Sequence, residues 1–220
     1  MNDAPGNRRP VKSRGAGWTK ACAATLARWG VSPDAISAAS AAFAIWGLAA
    51  FLWSGQSVGV ARILALAGAA AAIQLRLLCN LLDGMVAVEH QRGGPAGPIW
   101  NELPDRISDI LLLVGAGYAA AATGPAWASA VGWIAALMAV LTAYVRELGR
   151  GLGQAADFSG PGAKPHRMAL LTVTALLAAV VEPRWAPPGT VLTGGLTLIA
   201  GLAAITVIRR THHLATRLGA

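Results

Sequence analysis

The sequence predicts an all-α integral membrane bundle of six transmembrane helices preceded by an amphipathic interfacial helix. Three observations predict it. Hydrophobic residues make up 55% of the 220 and charged ones only 13%, with a mean hydropathy of +0.53. The apolar residues come in runs long enough to cross a bilayer, and the basic residues gather in alternate gaps between those runs. A chain so apolar cannot bury its side chains inside a water-soluble core, so lipid is its expected solvent. Alanine and leucine dominate the apolar set and strand-like alternation is nearly absent, which favours helices over a barrel.

A hydrocarbon core about 30 Å thick needs about 20 helical residues. At that length the expected spans are Asp34 to Trp53, Val60 to Cys79, Asp105 to Ala122, Ala126 to Tyr144, Met168 to Val181 and Gly189 to Ile208, the fifth being short. Helix-stopping residues separate them on one side of the membrane: Ser54-Gly55, Thr123-Gly124-Pro125 and Pro183 through Pro188. Of the 18 Lys and Arg, all but Arg62 and Arg184 fall at the N-terminal tail, the two longer loops and the C-terminus. By the positive-inside rule both ends are cytoplasmic, and the expected location is a bacterial inner membrane. The same distribution explains the net charge of +8 without nucleic acid as a partner.

Ahead of the first span, Trp18, Cys22, Leu26 and Trp29 recur at helical spacing with Lys20 and Arg28 on the flank, the pattern of a helix lying in the membrane interface. The expected divisions are a disordered basic tail over 1–16, this interfacial helix over 17–30 and a six-helix membrane domain over 31–220. The tail lacks a hydrophobic run ending in a small-residue cleavage site, so no signal peptide is expected. Cys22 and Cys79 have no partner spacing for a disulfide framework or a zinc site.

Charged residues at the end of a spanning helix are costly unless water, a metal or a partner meets them, so a cluster there signals function. The chain reads Asn80-x2-Asp83-Gly84-x2-Ala87, then Gly97-x3-Asn101-x3-Asp105-x3-Asp109. Steps of three and four place Asn80 and Asp83 on one helix face and Asn101, Asp105 and Asp109 on another. Gathered carboxylates repel unless a cation neutralises them. Oxygen ligands without histidine or thiolate select Mg²⁺ or Mn²⁺ over zinc, and Ca²⁺ fits the same donors. All five residues are therefore candidate ligands. Gly84 and Ala87 leave room for a bulky phosphorylated substrate. The bland alternative is that the acids cap helix ends or pair with Arg76 and Arg106.

A second cluster lies on the same side. Arg146 and Arg150 share a face at the end of the fourth span, and Lys164 and Arg167 precede the fifth. Together these four could hold the phosphate of an acceptor, or they could serve only as positive-inside charges beside headgroups.

The Asn80–Asp105 stretch resembles the signature of the CDP-alcohol phosphatidyltransferases, Asp-x2-Asp-Gly-x2-Ala-Arg, about eight residues, then Gly-x3-Asp-x3-Asp. Here Asn80 and Asn101 stand at the first and third Asp positions, Asp83 and Asp105 at the second and fourth, Gly84, Ala87 and Gly97 at the small-residue positions, and Val88 at the Arg position. A shifted register, with Asp105 and Asp109 as the last two acids, puts Asn101 at the Gly and lengthens the spacer. Gly30-Val31-Ser32-Pro33 is similar to the family's Gly-x-Thr-Pro entry to the first span. The resemblance implies a six-helix membrane enzyme, often a homodimer, which displaces CMP from a CDP-lipid with the hydroxyl of an alcohol acceptor. It implies two divalent metals on the first three Asp positions, with the fourth, Asp105, deprotonating the acceptor. Donor binding falls to Arg76, Asp83, Gly84, Ala87 and Gly97, with Arg76 or Arg92 replacing the missing Arg. Each Asn keeps a carbonyl oxygen but loses a charge, so one or two Mg²⁺ or Mn²⁺ ions are expected. A catalytically degenerate lipid-binding protein is the alternative reading. A small transporter fits less well, since its polar groups would sit near mid-bilayer.

Overall fold

The computed structural model describes residues 16–89 and 97–219, and leaves aside the side chains at 88, 89, 97, 98, 100 and 101. The tail before residue 16, Arg92 and the side chains of Val88 and Asn101 thus lie outside the described residues. Those described form seven helices and no strand: α1 (Gly17–Arg28), α2 (Pro33–Gln56), α3 (Gly59–Glu89), α4 (Gly97–Thr123), α5 (Ala128–Gly151), α6 (Lys164–Trp185) and α7 (Thr190–Gly219). Six of them, α2 to α7, are long and apolar enough to cross a membrane, and the chain is a multi-pass membrane protein.

Local chemistry sets the ends. Ser32 caps α2 by accepting the Ala35 N–H at 3.1 Å, and Pro33 occupies the first turn, where its missing N–H costs nothing. Pro187, Pro188 and Gly189, the last with φ +82°, turn the chain from α6 into α7.

The helices run longer than the apolar segments. α3 continues ten residues past Cys79 because Leu82, Met85 and Val86 keep a buried stripe going, packed with Ile36 and with Ala23 and Ala27 of α1. At 1.5 Å per residue its 31 residues span about 46 Å, more than the bilayer core of about 30 Å. α6 extends four residues beyond each expected end because the charges that mark those ends, Arg167 and Glu182, are buried in ion pairs.

Packing closes the six long helices into a ring in the order α2, α3, α6, α7, α5, α4, with α4 also reaching α7 across the middle. Small residues permit the close approaches. A Cβ on Gly117 of α4 would lie 2.8 Å from the Cα of Gly132 on α5. α1 lies against α3 through Thr19, Ala23 and Ala27, while Trp18, Cys22 and Trp29 face outward. The core is Ala-rich, with Phe51, Leu66, Ile73, Leu112, Leu171 and Leu196 fully buried.

At the end of the bundle where α2 finishes and α7 begins, Arg62 donates to Glu182 at 2.7 Å and to the Ser54 carbonyl at 2.7 Å. Glu182 also accepts the Val191 N–H at 3.1 Å, so one pair joins four helices. Both side chains are buried. Glu182→Ala strands a buried guanidinium and should destabilise the protein by about 3 kcal/mol, read as a lower midpoint for thermal unfolding in detergent. Replacing both partners, Arg62→Met with Glu182→Leu, should restore most of that loss. A single variant as stable as the parent would show that the pair is not structural.

Candidate functional site

The other end of the bundle holds the polar residues singled out from the sequence. Arg76, Asn80 and Asp83 follow one another at four- and three-residue steps on α3, and Asp105 and Asp109 lie one turn apart on α4. Two serines of α2, Ser37 and Ser40, repeat the spacing of Asn80 and Asp83 and bond to them. Ser37 donates to Asp83 Oδ2 at 2.8 Å, and Ser40 donates to Asn80 Oδ1 at 2.7 Å. This fixes the Asn80 amide, whose Nδ2 then donates to Asp105 Oδ1. A single chain of hydrogen bonds therefore links α2, α3 and α4.

Asp105 and Asp109 have cationic partners. Arg76 donates through Nη2 to Asp109 at 2.8 Å, to Asp105 Oδ1 at 3.3 Å and to the Asp105 carbonyl at 3.0 Å. From the first turn of α6, Lys164 donates to Asp105 Oδ2, and Arg167 donates to Asp109 Oδ2 at 2.8 Å. A helix N-terminus repels positive charge, and α6 has no acid in its first turn, so the carboxylates of α4 supply what Lys164 and Arg167 need. Arg167 also donates to the Thr142 hydroxyl at 3.1 Å and the Gly162 carbonyl at 2.5 Å.

Asp83 differs from the other two acids. It is 4% exposed; Ser37 meets its Oδ2, the Gly84 backbone N–H is turned towards the carboxylate, and its buried Oδ1 has no hydrogen bond of normal geometry. The charges of Asp105 and Lys164 are close enough to act on it. An orphaned buried carboxylate oxygen is a vacant acceptor that a hard cation would satisfy. Among the described residues no three His, Cys, Asp or Glu side chains converge into a cage. That still suits Mg²⁺ or Mn²⁺, which bind through one or two carboxylates and complete their shell with water and substrate phosphate. The protein donors would be Asp83 and the Asn80 carbonyl, since both Asp105 oxygens are already taken by Arg76, Asn80 and Lys164.

The remaining expected residues are placed as follows. Gly84 and Ala87 are half-buried on α3 just beyond Asp83, and Gly97 opens α4. The four basic residues expected to gather around a phosphate form two groups instead. Lys164 and Arg167 meet Asp105 and Asp109 of α4, while Arg146 pairs with Glu102, nearer the start of the same helix, at 2.6 Å and with Glu147 at 2.8 Å and lies over Phe158, with Arg150 on Glu147 at 3.0 Å. The division follows from nearby acids that sequence spacing did not assign as partners. Ser37, Ser40, Glu102 and Thr142 were not singled out from the sequence. The only signal for the serines was their spacing, three apart like Asn80 and Asp83.

The loop between α5 and α6 borders the site and is tied to α7. The Gly162 N–H donates to Thr206 Oγ1 at 2.7 Å, Arg210 donates to the Ser159 carbonyl at 2.9 Å, and His213 Nδ1 lies 3.3 Å from Asp157. Burial pushes the Asp157 carboxyl up, but hydrogen bonds from Ser159 and His213 and the Arg210 charge outweigh it and hold the group below its ordinary range. Asp157 therefore contributes stability that is complete above the ordinary value of 3.8 and is lost as pH falls towards its lower folded value. The stability gap between the protein and Asp157→Asn should narrow on acidification below about pH 4, measured by thermal unfolding in detergent. A gap that does not change with pH would show that the ionised carboxylate does not anchor the loop.

No protein-family model matches this sequence, and no curated protein sequence does. Solved structures match it. The Mycobacterium tuberculosis phosphatidylinositol phosphate synthase (PgsA1) in complex with manganese and citrate superposes with a TM-score of 0.73 at 23% identity, over 90% of this chain and 89% of that one. The same synthase with CDP-DAG bound gives a TM-score of 0.71 at 22% identity, over 90% and 94%. Its apo form gives 0.67 at 21%, over 89% and 95%. Across nine-tenths of its length, then, this chain has the fold of a phosphatidylinositol phosphate synthase.

Proposed function

We propose that the protein transfers a phosphatidyl group from a CDP-lipid such as CDP-diacylglycerol to an alcohol, releasing CMP, in phospholipid biosynthesis. The observation that carries this is the hydrogen bond of Asn80 to Asp105, with the buried Asp83 one turn along α3 from Asn80, at one end of a bundle whose fold is that of a synthase crystallised with CDP-DAG. In this reading the acceptor oxygen attacks the phosphorus that bears the lipid, the phosphoanhydride bond breaks, and its electron pair leaves with CMP. Asp105 takes the acceptor's proton, and its orientation is set by Asn80, Arg76 and Lys164. Asp83 and the Asn80 carbonyl would hold Mg²⁺ or Mn²⁺, which when bound would supply charge to neutralise the diphosphate. Gly84, Ala87 and Gly97 leave space for the donor. In this reading Arg146 and Arg150, which share Glu102 and Glu147 between them, would meet a phosphate on the acceptor.

The site faces the cytoplasm in a bacterial inner membrane. α1 lies in the interface, with Trp18 and Trp29, 56% and 76% exposed, directed at headgroups. Lipid tails then stay in the bilayer while the nucleotide stays in water. A lipid-binding protein without catalysis is the second reading, favoured by the cations already paired with Asp105 and Asp109. Purified protein in nanodiscs, given CDP-diacylglycerol, Mg²⁺ and separately glycerol phosphate, inositol, inositol phosphate or serine, should release CMP with one of these acceptors. No release with any of them favours the second reading.

A further inference from the structure

We propose that Lys164 is a resident cation on Asp105, standing where a second metal would otherwise be needed, so that the site takes one divalent ion, at Asp83. The proposal deepens the transferase reading and rests on it for its physiological meaning.

Oxygen by oxygen, the acids on α4 are already met. Asp105 Oδ1 accepts from Arg76 and Asn80, and its Oδ2 from Lys164. Asp109 Oδ1 accepts from Arg76 and its Oδ2 from Arg167. Among the described residues, the carboxylate oxygen at this site with no hydrogen bond of normal geometry is Asp83 Oδ1, on a side chain that is itself buried.

Charge balance points the same way. The carboxylates of Asp83, Asp105 and Asp109 face the cations of Arg76, Lys164 and Arg167, while Arg106, 3.9 Å from Asp105, is paired with Glu102. Arg76 and Arg167 are 0% and 1% exposed and cannot swing into water. One divalent ion on this neutral set of described residues is matched by the roughly two negative charges of a diphosphate; a second would have to displace Lys164 from Asp105. Asparagine at position 80 belongs to the same arrangement. Its amide donates to Asp105 where an aspartate would repel it. Lys164 is thus a positioning residue, presented to Asp105 from the first turn of α6.

The test is a Mn²⁺ titration of the full chain in nanodiscs, followed by electron paramagnetic resonance and equilibrium dialysis. The expected result is one Mn²⁺ per chain, still one in Lys164→Arg, and two with the spin coupling of a close pair in the double variant Lys164→Met with Asn80→Asp. Two ions in the parent, none in the parent, or still one in the double variant would overturn the proposal. One ion together with no CMP release from any acceptor would support it while ending the transferase reading. Two ions with CMP release would do the reverse.

Discussion

Asp83→Ala and Asp105→Ala should each reduce CMP release by about a thousandfold or more, for different reasons. In Asp83→Ala the buried oxygen left open for a cation disappears, so the loss should grow when Mg²⁺ is scarce and shrink only partly at high Mg²⁺. In Asp105→Ala the proton acceptor is missing, and added metal should restore nothing. Removing a positioned general base typically costs between about a hundredfold and ten-thousandfold. Ser37→Ala is the control. It removes a neutral hydroxyl that donates to Asp83 at 2.8 Å, a contact of about 1 kcal/mol, and should lower the rate by less than about tenfold. Steady-state CMP release over a range of Mg²⁺ concentrations separates the three variants. Full activity in both aspartate variants would end the catalytic assignment.

The sequence made the α3 and α4 ladders legible because both depend on helical periodicity alone. Asp105 and Asp109 are four apart, Asn80 and Asp83 three apart, and any helix through them aligns each pair. The number of long helices was legible for a similar reason, since length and hydropathy are properties of each segment by itself. What periodicity cannot supply is the choice of partner across the bundle. Lys164 and Arg167 read equally well as headgroup contacts or phosphate ligands, and only the ring order that sets α6 beside α3 brings them onto the α4 acids, 59 and 58 residues away in sequence. Ser37 and Ser40 were hidden differently. Serine in an apolar helix is common wherever helices pack closely, so nothing in α2 marks these two as donors to the site. The expected span from Met168 to Val181 lies within a longer α6, which continues past it through Arg167 and Glu182 because burial of an ion pair lets the helix run on.

Asp109 lies deepest in the network, and Asp109→Ala should be the most destabilising single substitution at this end of the bundle. The carboxylate is 1% exposed and is shared by two guanidinium groups, Arg76 on one oxygen and Arg167 on the other, each at 2.8 Å. Neither arginine is fully satisfied elsewhere. Nε and Nη1 of Arg76 and Nε of Arg167 are buried without hydrogen bonds, so losing Asp109 would leave Arg167 with only the neutral Thr142 hydroxyl and Gly162 carbonyl, and Arg76 with Asp105 as its remaining acid. Breaking one buried pair by removing a partner costs about 3 to 5 kcal/mol, and two arginines losing one acid place this variant at the top of that range, about 5 kcal/mol. Asp109→Asn keeps an acceptor for one arginine but loses the charge, and should cost about half as much. Because Arg167 also bonds the Gly162 carbonyl, the loss should extend to the loop between α5 and α6. Hydrogen exchange would then show faster opening over residues 152–163 in Asp109→Ala than in Glu182→Ala, whose damage lies at the opposite end. An Asp109→Ala protein whose thermal unfolding matches the parent's would mean that these two arginines find other partners in the membrane, and the charge count that limits the site to one divalent ion would have to be revised.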